Sequence, residues 1–181
     1  MLMASYKVKP RLKNFFSITT LVLLCIISGT RYYLGGSDYY VYKRVFDSLP
    51  NIKDFVMEIG NIHNKYTTYG HEYGYLFLNS LVKSVGISFF GFTMLHSIIF
   101  YFCLYKGLRK YTYNFNFIII VFLYKLFFYN TFVSMRQSIA VAIFFVAMQY
   151  IEEEKPIKYF LFCTIAFLFH NTALILFPLY F

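Results

Sequence analysis

Arg136 and Gln137 stand side by side near one end of residues 131–151, an apolar run long enough to cross a bilayer. A guanidinium inside a lipid-length span costs about 2.5–3.5 kcal/mol at mid-membrane and less near the rim, so its placement asks for a reason. Such a group grips a phosphate through two parallel hydrogen bonds and stays charged at any physiological pH; an interfacial Arg reaching for headgroups is the plainer reading. His170, followed by Asn171 and Thr172 inside another apolar run, suits a general base or a phosphate donor, because an imidazole titrates near neutral pH. It equally suits a contact between helices. His96, whose polar neighbour is Ser97, reads as such a contact, and Lys125 as a cation carried to the surface on its aliphatic stem.

Two more stretches could carry chemistry. Gly35-Gly36-Ser37-Asp38-Tyr39-Tyr40 follows Arg31 closely and combines a carboxylate, two glycines and aromatic faces. His71-Glu72-Tyr73-Gly74-Tyr75 offers a second carboxylate, and Tyr66, Tyr69, Tyr73 and Tyr75 could stack on sugar rings or simply sit in an interfacial aromatic belt. Nothing resembles a P-loop, a nucleophile elbow, a zinc-protease helix or a paired-aspartate metal motif, so no cofactor and no metal is expected. Cys25, Cys103 and Cys163 lie in apolar stretches without metal-ligand spacing and read as packing residues.

These residues are embedded in a chain of 181 residues that is 59% hydrophobic, 24% aromatic and only 14% charged, with mean hydropathy +0.56. A soluble domain carries roughly 25% charged residues, so the expected fold is an all-α membrane helix bundle. At about 20 residues per crossing, the chain has room for about five spans. The boundaries read as a cytoplasmic tail over 1–14, spans over 15–30, 85–105, 114–129, 132–151 and 159–177, and a long outer loop with short surface helices over 31–84. A basic start before a short apolar run also describes a signal peptide; the spans that follow and the poor cleavage site at Ser28-Gly29-Thr30 favour a retained helix.

The charge of +9 matters through its placement rather than as a sign of nucleic-acid binding. Lys7, Lys9, Arg11, Lys13, Lys106, Arg109, Lys110, Lys155 and Lys158 gather on one side against Glu152, Glu153 and Glu154. The longer opposite loops nearly balance Arg31, Lys43, Arg44, Lys53, Lys65 and Lys83 with Asp38, Asp47, Asp54, Glu58 and Glu72. The positive-inside rule then puts the amino terminus in the cytoplasm and the 31–84 region outside. With a rise of about 1.5 Å per residue, His170 lies about 16 Å above Tyr159, and Lys125, Arg136 and Arg31 share the outer half of the bundle.

Three segments in order, Glu72-Tyr73-Gly74-Tyr75 with 76–86 behind it, Tyr129-Asn130 through Arg136-Gln137-Ser138-Ile139-Ala140, and Phe169-His170-Asn171-Thr172-Ala173-Leu174, resemble the EpsG family of exopolysaccharide and O-antigen (Wzy-type) polymerases. Arg31, Gly36-Ser37-Asp38-Tyr39 and Tyr42 look like the outward Arg and turn of that family, with Arg31 one residue out of register. The resemblance implies glycosyl transfer at the outer face of the bacterial cytoplasmic membrane, joining oligosaccharide repeat units carried on undecaprenyl pyrophosphate, without nucleotide or metal. It implies that Arg136 and then Arg31 hold pyrophosphate, that His170, Glu72 or Asp38 takes the acceptor proton, and that Tyr39, Tyr42 and Gln137 position sugar. Partners would be the lipid-linked oligosaccharide, the bilayer, a flippase and a chain-length regulator, and no nucleic acid. Members of the family are about twice as long, so an amino-terminal half is expected. A transporter for a lipid-linked anion and an inactive fragment are the alternatives.

Overall fold

The structure, a computed structural model, describes residues 10–61, 72–112 and 114–181. Expectations resting on Lys7, Lys9, Lys65, Tyr66, Tyr69 and His71 lie outside the described residues. Within them the chain is helical throughout, with no strand: α1 (Pro10–Gly29), α2 (Gly36–Ser48), α3 (Ile52–Met57), α4 (Tyr73–Ser84), α5 (Phe89–Leu108), α6 (Phe115–Tyr124), α7 (Phe127–Val133), α8 (Met135–Glu152) and α9 (Pro156–Phe169). A 3₁₀ turn, Arg109–Tyr111, follows α5, and a ten-residue 3₁₀ helix, Asn171–Tyr180, closes the chain. Helices satisfy every backbone group internally, which hydrocarbon demands. The segment Phe89–Tyr111 is long and apolar enough to cross a membrane, and Asn14–Gly29, Pro156–Phe169 and Asn171–Tyr180 are shorter apolar helices. The protein is an all-α membrane helix bundle.

Helix α5 is packed between α1 and α8, and α8 in turn between α5 and α9. Small residues set the close approaches, as is usual where helices meet in lipid. A Cβ on Gly107 of α5 would lie 2.5 Å from the carbonyl carbon of Phe145 in α8, and one on Gly29 would lie 2.7 Å from Met94 Sδ. One end of the bundle collects the start of α1, where Ser17 donates to Asn116 Oδ1 at 2.9 Å, and the contact of Lys110 with Glu152 (3.0 Å) and Glu153 (4.0 Å). At the other end Thr93 donates to the Gly29 carbonyl at 2.8 Å, and His96 meets the Met135 carbonyl at 2.8 Å.

Several expected boundaries shift, each for a local reason. Residues 31–84 include a packed cap rather than a loop with surface helices. Tyr39, Tyr42 and Phe46 recur at helical spacing on α2 and are buried with Phe55, Tyr75, Phe89 and Phe92. Lys83, in the last turn of α4, ties the cap together by donating to the carbonyls of Asp47 and Leu49, each at 2.6 Å, where α2 ends. A cation there answers the unsatisfied carbonyls of a helix C-terminus.

The span expected over 114–129 is broken. Leu126 takes a left-handed conformation (φ 57°), and α6 and α7 meet at a bend of 63°. Lys125 at this bend is exposed, with its ammonium 5.7 Å from the Tyr124 ring centroid, and it does not join the other cations. Span four begins at Met135 because residues 127–133 belong to α7 and Ser134 (ψ 67°) leaves the helical region. Span five ends early: His170 is extended (φ −157°, ψ 125°), and the chain folds back along α9, where Tyr159 donates to the Leu176 carbonyl at 2.6 Å. His170 therefore caps a helix end instead of lying inside a continuous span.

Gly107→Val should wedge α5 from α8 and cost about 1–3 kcal/mol, the usual penalty for overpacking. Gly60, with nothing near its missing side chain, should accept Ala without loss; thermal unfolding of both purified variants in detergent compares them.

Candidate functional site

Glu72 immediately precedes α4, and its carbonyl accepts from Tyr75 N at 3.1 Å and from Leu76 N at 3.2 Å, so the first turn holds its backbone. Gly74, two residues on, lets α4 press against the end of α9. A Cβ there would sit 2.9 Å from Leu168 Cβ and 3.0 Å from the Leu168 carbonyl oxygen. That close approach brings the Glu72 carboxylate, 3% exposed, beside His170. His170 Nδ1 donates to Oε1 at 2.6 Å, while Arg136 Nη1 donates to Oε2. Both carboxylate oxygens are thereby engaged by residues 98 and 64 positions away.

Arg136 is the second residue of α8, at the end where the free N–H groups and the helix dipole favour negative charge. Its guanidinium carbon lies 5.8 Å from the Tyr42 ring centroid, and the Tyr42 hydroxyl is a further hydrogen-bond partner. Tyr42 is itself buried against Tyr75, the ring centroids 5.8 Å apart, and the Tyr75 hydroxyl faces Met135 Sδ at 4.0 Å. Four helical segments thus meet at one ion pair. With Nδ1 directed at a carboxylate, the neutral His170 ring carries its lone pair on Nε2, the arrangement that prepares an imidazole to accept a proton.

Arg31 lies on the same side, just beyond α1, and is 1% exposed. Its Nη1 donates to the Thr131 carbonyl of α7, and its guanidinium carbon is 5.8 Å from the Phe132 ring centroid. Its Nε and Nη2 have no partner, and no carboxylate contacts it, among the described residues. Burying a cation is strongly unfavourable unless its donors are engaged, and the Thr131 carbonyl engages one of them. Gly35, at φ 128°, makes room for the arrangement, since a Cβ would lie 2.7 Å from the Phe132 carbonyl oxygen.

The structure brings together Arg136, Glu72, His170 and Tyr42, with Arg31 close by. It does not bring in Asp38, Tyr39 or Gln137. Asp38 is half-buried on the first turn of α2 and meets the Ser37 hydroxyl at 3.4 Å. The Tyr39 ring is buried in the aromatic cap, 5.4 Å from Phe89, because it shares the inward face of α2 with Tyr42. Gln137 is turned about a quarter of the way round α8 from Arg136 and lines a cavity toward α5 and α6. His96, fully buried with Nε2 2.8 Å from the Met135 carbonyl and 3.3 Å from Ser138 Oγ, is the interhelix contact its surroundings suggested. Sequence reasoning missed the Thr131 carbonyl and the spacing role of Gly74. The glycine directly after Glu72-Tyr73 was the available signal for the second. No three His, Cys, Asp or Glu side chains come together to hold a metal ion among the described residues.

An all-helical membrane bundle with a buried carboxylate clamped by arginine and histidine defines the class of the protein. Its sequence matches the model of the EpsG family over residues 13–181, and the chain belongs to that family. No curated protein and no solved structure matches it significantly.

Glu72→Ala should cost about 3–5 kcal/mol by leaving Arg136 without its buried acceptor. In a double-mutant cycle with Arg136→Ala, denaturant unfolding should show a coupling of about 0.5–3 kcal/mol. Simple additivity of the two losses would mean the pair does not interact.

Proposed function

We propose that the protein polymerises oligosaccharide repeat units carried on undecaprenyl pyrophosphate, by glycosyl transfer at the outer face of the bacterial cytoplasmic membrane, as part of exopolysaccharide, capsule or O-antigen synthesis. Membership of the EpsG family supports an exopolysaccharide-related role. The observation that carries the chemistry is the Glu72 bridge between Arg136 and His170, on the same side as Arg31, which no carboxylate contacts among the described residues. In this reading Glu72 orients the ring and His170 Nε2 takes the proton from the acceptor sugar hydroxyl. The hydroxyl oxygen bonds to the donor anomeric carbon as that carbon's bond to the pyrophosphate oxygen breaks. The electron pair leaves with the pyrophosphate, whose growing charge meets Arg136 and Arg31 in a water-poor site. Tyr42, over the Arg136 guanidinium, holds that cation in place.

The bend of 63° between α6 and α7 favours a second reading, a transporter for a lipid-linked anion, since broken helices near mid-membrane line many transport sites. The two differ in what His170 does. With protein reconstituted in liposomes and lipid-linked oligosaccharide supplied, His170→Gln should lower the polymer ladder on gels by about 10²–10⁴-fold. Arg136→Lys, which keeps charge but loses the two-pronged grip, should also fall. Unchanged polymer from His170→Gln would exclude the general-base role.

The same reading makes the protein multi-pass, with its amino terminus in the cytoplasm and the Arg136 end outside. The exposed Lys106, Arg109, Lys110, Lys155 and Lys158 at the opposite end support this orientation. In intact cells, an impermeant thiol reagent should modify Ser37→Cys and spare Glu153→Cys; the reverse pattern would invert the topology.

A further inference from the structure

Beside the ion cluster, on the other flank of α8, lies a cavity of about 300 Å³ bounded by α5, α6, α7 and α8. Its lining spans the 63° bend between α6 and α7, with Phe122 on one side of the break and Phe127 and Asn130 on the other. Its walls divide by chemistry along their length. Asn130, Ser134, Gln137 and Ser138 form one end, the end that holds Arg136. Below them the wall is carbon, with Phe100 and Leu104 from α5, Phe122 from α6 and Phe145 from α8. From Gln137 to Phe145 the α8 wall runs about 12 Å toward the basic end of the bundle. A water deep in this slot would find none of the two to four polar partners that retain one, whereas a single hydrocarbon chain would find aromatic faces to lie against.

The geometry points to this cavity as the binding site for the polyisoprenoid tail of the lipid carrier, with the carrier's phosphate at the polar end beside Arg136. The inference rests on the polymerase reading for the identity of the carrier. Gln137, outside the ion cluster, then marks the junction of headgroup and tail. The flat, branched isoprene units pack against Phe100, Phe122 and Phe145, the headgroup stays at the Gln137 end, next in the chain to Arg136, and the remainder of the tail leaves toward lipid.

The test uses the full chain in nanodiscs of phosphatidylethanolamine and phosphatidylglycerol, with two photoreactive probes at equal mole fraction. One is polyprenyl phosphate with a diazirine in its chain; the other is phosphatidylglycerol with a diazirine in an acyl chain. Mass spectrometry should place polyprenyl adducts on residues 100–104 and 141–145, and unlabelled polyprenyl phosphate should compete them away. Val141→Trp, which fills the slot, should reduce this labelling about tenfold, while Leu161→Trp, an exposed site on α9, should not. Equal labelling by the acyl probe, or adducts resisting competition, would show ordinary lipid in the cavity and overturn the inference, and both measurements need only the unmutated protein. Polymer formation without labelling also overturns it while leaving the polymerase reading intact. Competed labelling in a protein that makes no polymer supports the site and sinks the reaction.

Discussion

The carboxylate of Glu72, shared between Arg136 and His170, is the interaction on which the rest of the structure depends. A carboxylate withdrawn from water is strongly unfavourable unless its oxygens are engaged, and a guanidinium in a membrane helix is unfavourable for the same reason. Each supplies what the other lacks. The pairing joins α4, α8 and α9, and the backbone is shaped to permit it. Gly74 removes the Cβ that would hold α4 away from Leu168, Ser134 ends α7 so that Arg136 falls on the first turn of α8, and His170 leaves the helix so that its ring can reach Glu72. The breaks at Ser134 and His170 both lie next to this contact.

Arg31 shows the complementary case. It is as deeply buried as Glu72, yet it meets a backbone carbonyl where a carboxylate would be expected. That carbonyl belongs to Thr131 in α7, the short helix set off by the bend. Among the described residues Glu72 contacts Arg136 and no carboxylate contacts Arg31, which leaves positive charge at Arg31 without a contacting acid. The free N–H groups at the start of α8 add to it. An anionic ligand would complete the electrostatics, and the apolar slot on the other flank of α8 supplies the hydrocarbon counterpart. One helix N-terminus thus serves a polar site on one side and an apolar cavity on the other.

The two ends of the molecule obey different rules. At the basic end, ion pairs such as Lys110 with Glu152 are exposed and screened, and they contribute little to stability. Their value is positional, since they hold the turn after α5 against the loop between α8 and α9. At the opposite end Glu72 and Arg31 are buried, so for them geometry decides the outcome. The aromatic cap built from Tyr39, Tyr42, Phe46 and Tyr75 packs beside the ion pair, with the Tyr42 ring 5.8 Å from the Arg136 guanidinium carbon.

Composition and the spacing of apolar runs were enough to determine the fold class, because hydrocarbon leaves a chain this apolar with little choice but helices. Arg136 and His170 were legible because a cation or imidazole in a lipid-length run stands out against its neighbours. Glu72 was legible only as one of several outer carboxylates. Nothing in the order of residues distinguished it from Asp38, or Tyr42 from Tyr39, since pairs this close in type differ only in what faces them across 60 to 100 positions of chain. The breaks at Lys125, Ser134 and His170 were invisible for a related reason: apolar runs continue through or beside them, and hydropathy reports affinity for lipid without reporting backbone direction. Tertiary structure alone decided those directions, because the free energy that bends a helix away from its run is released only when a partner from a distant segment is waiting at the end of the bend.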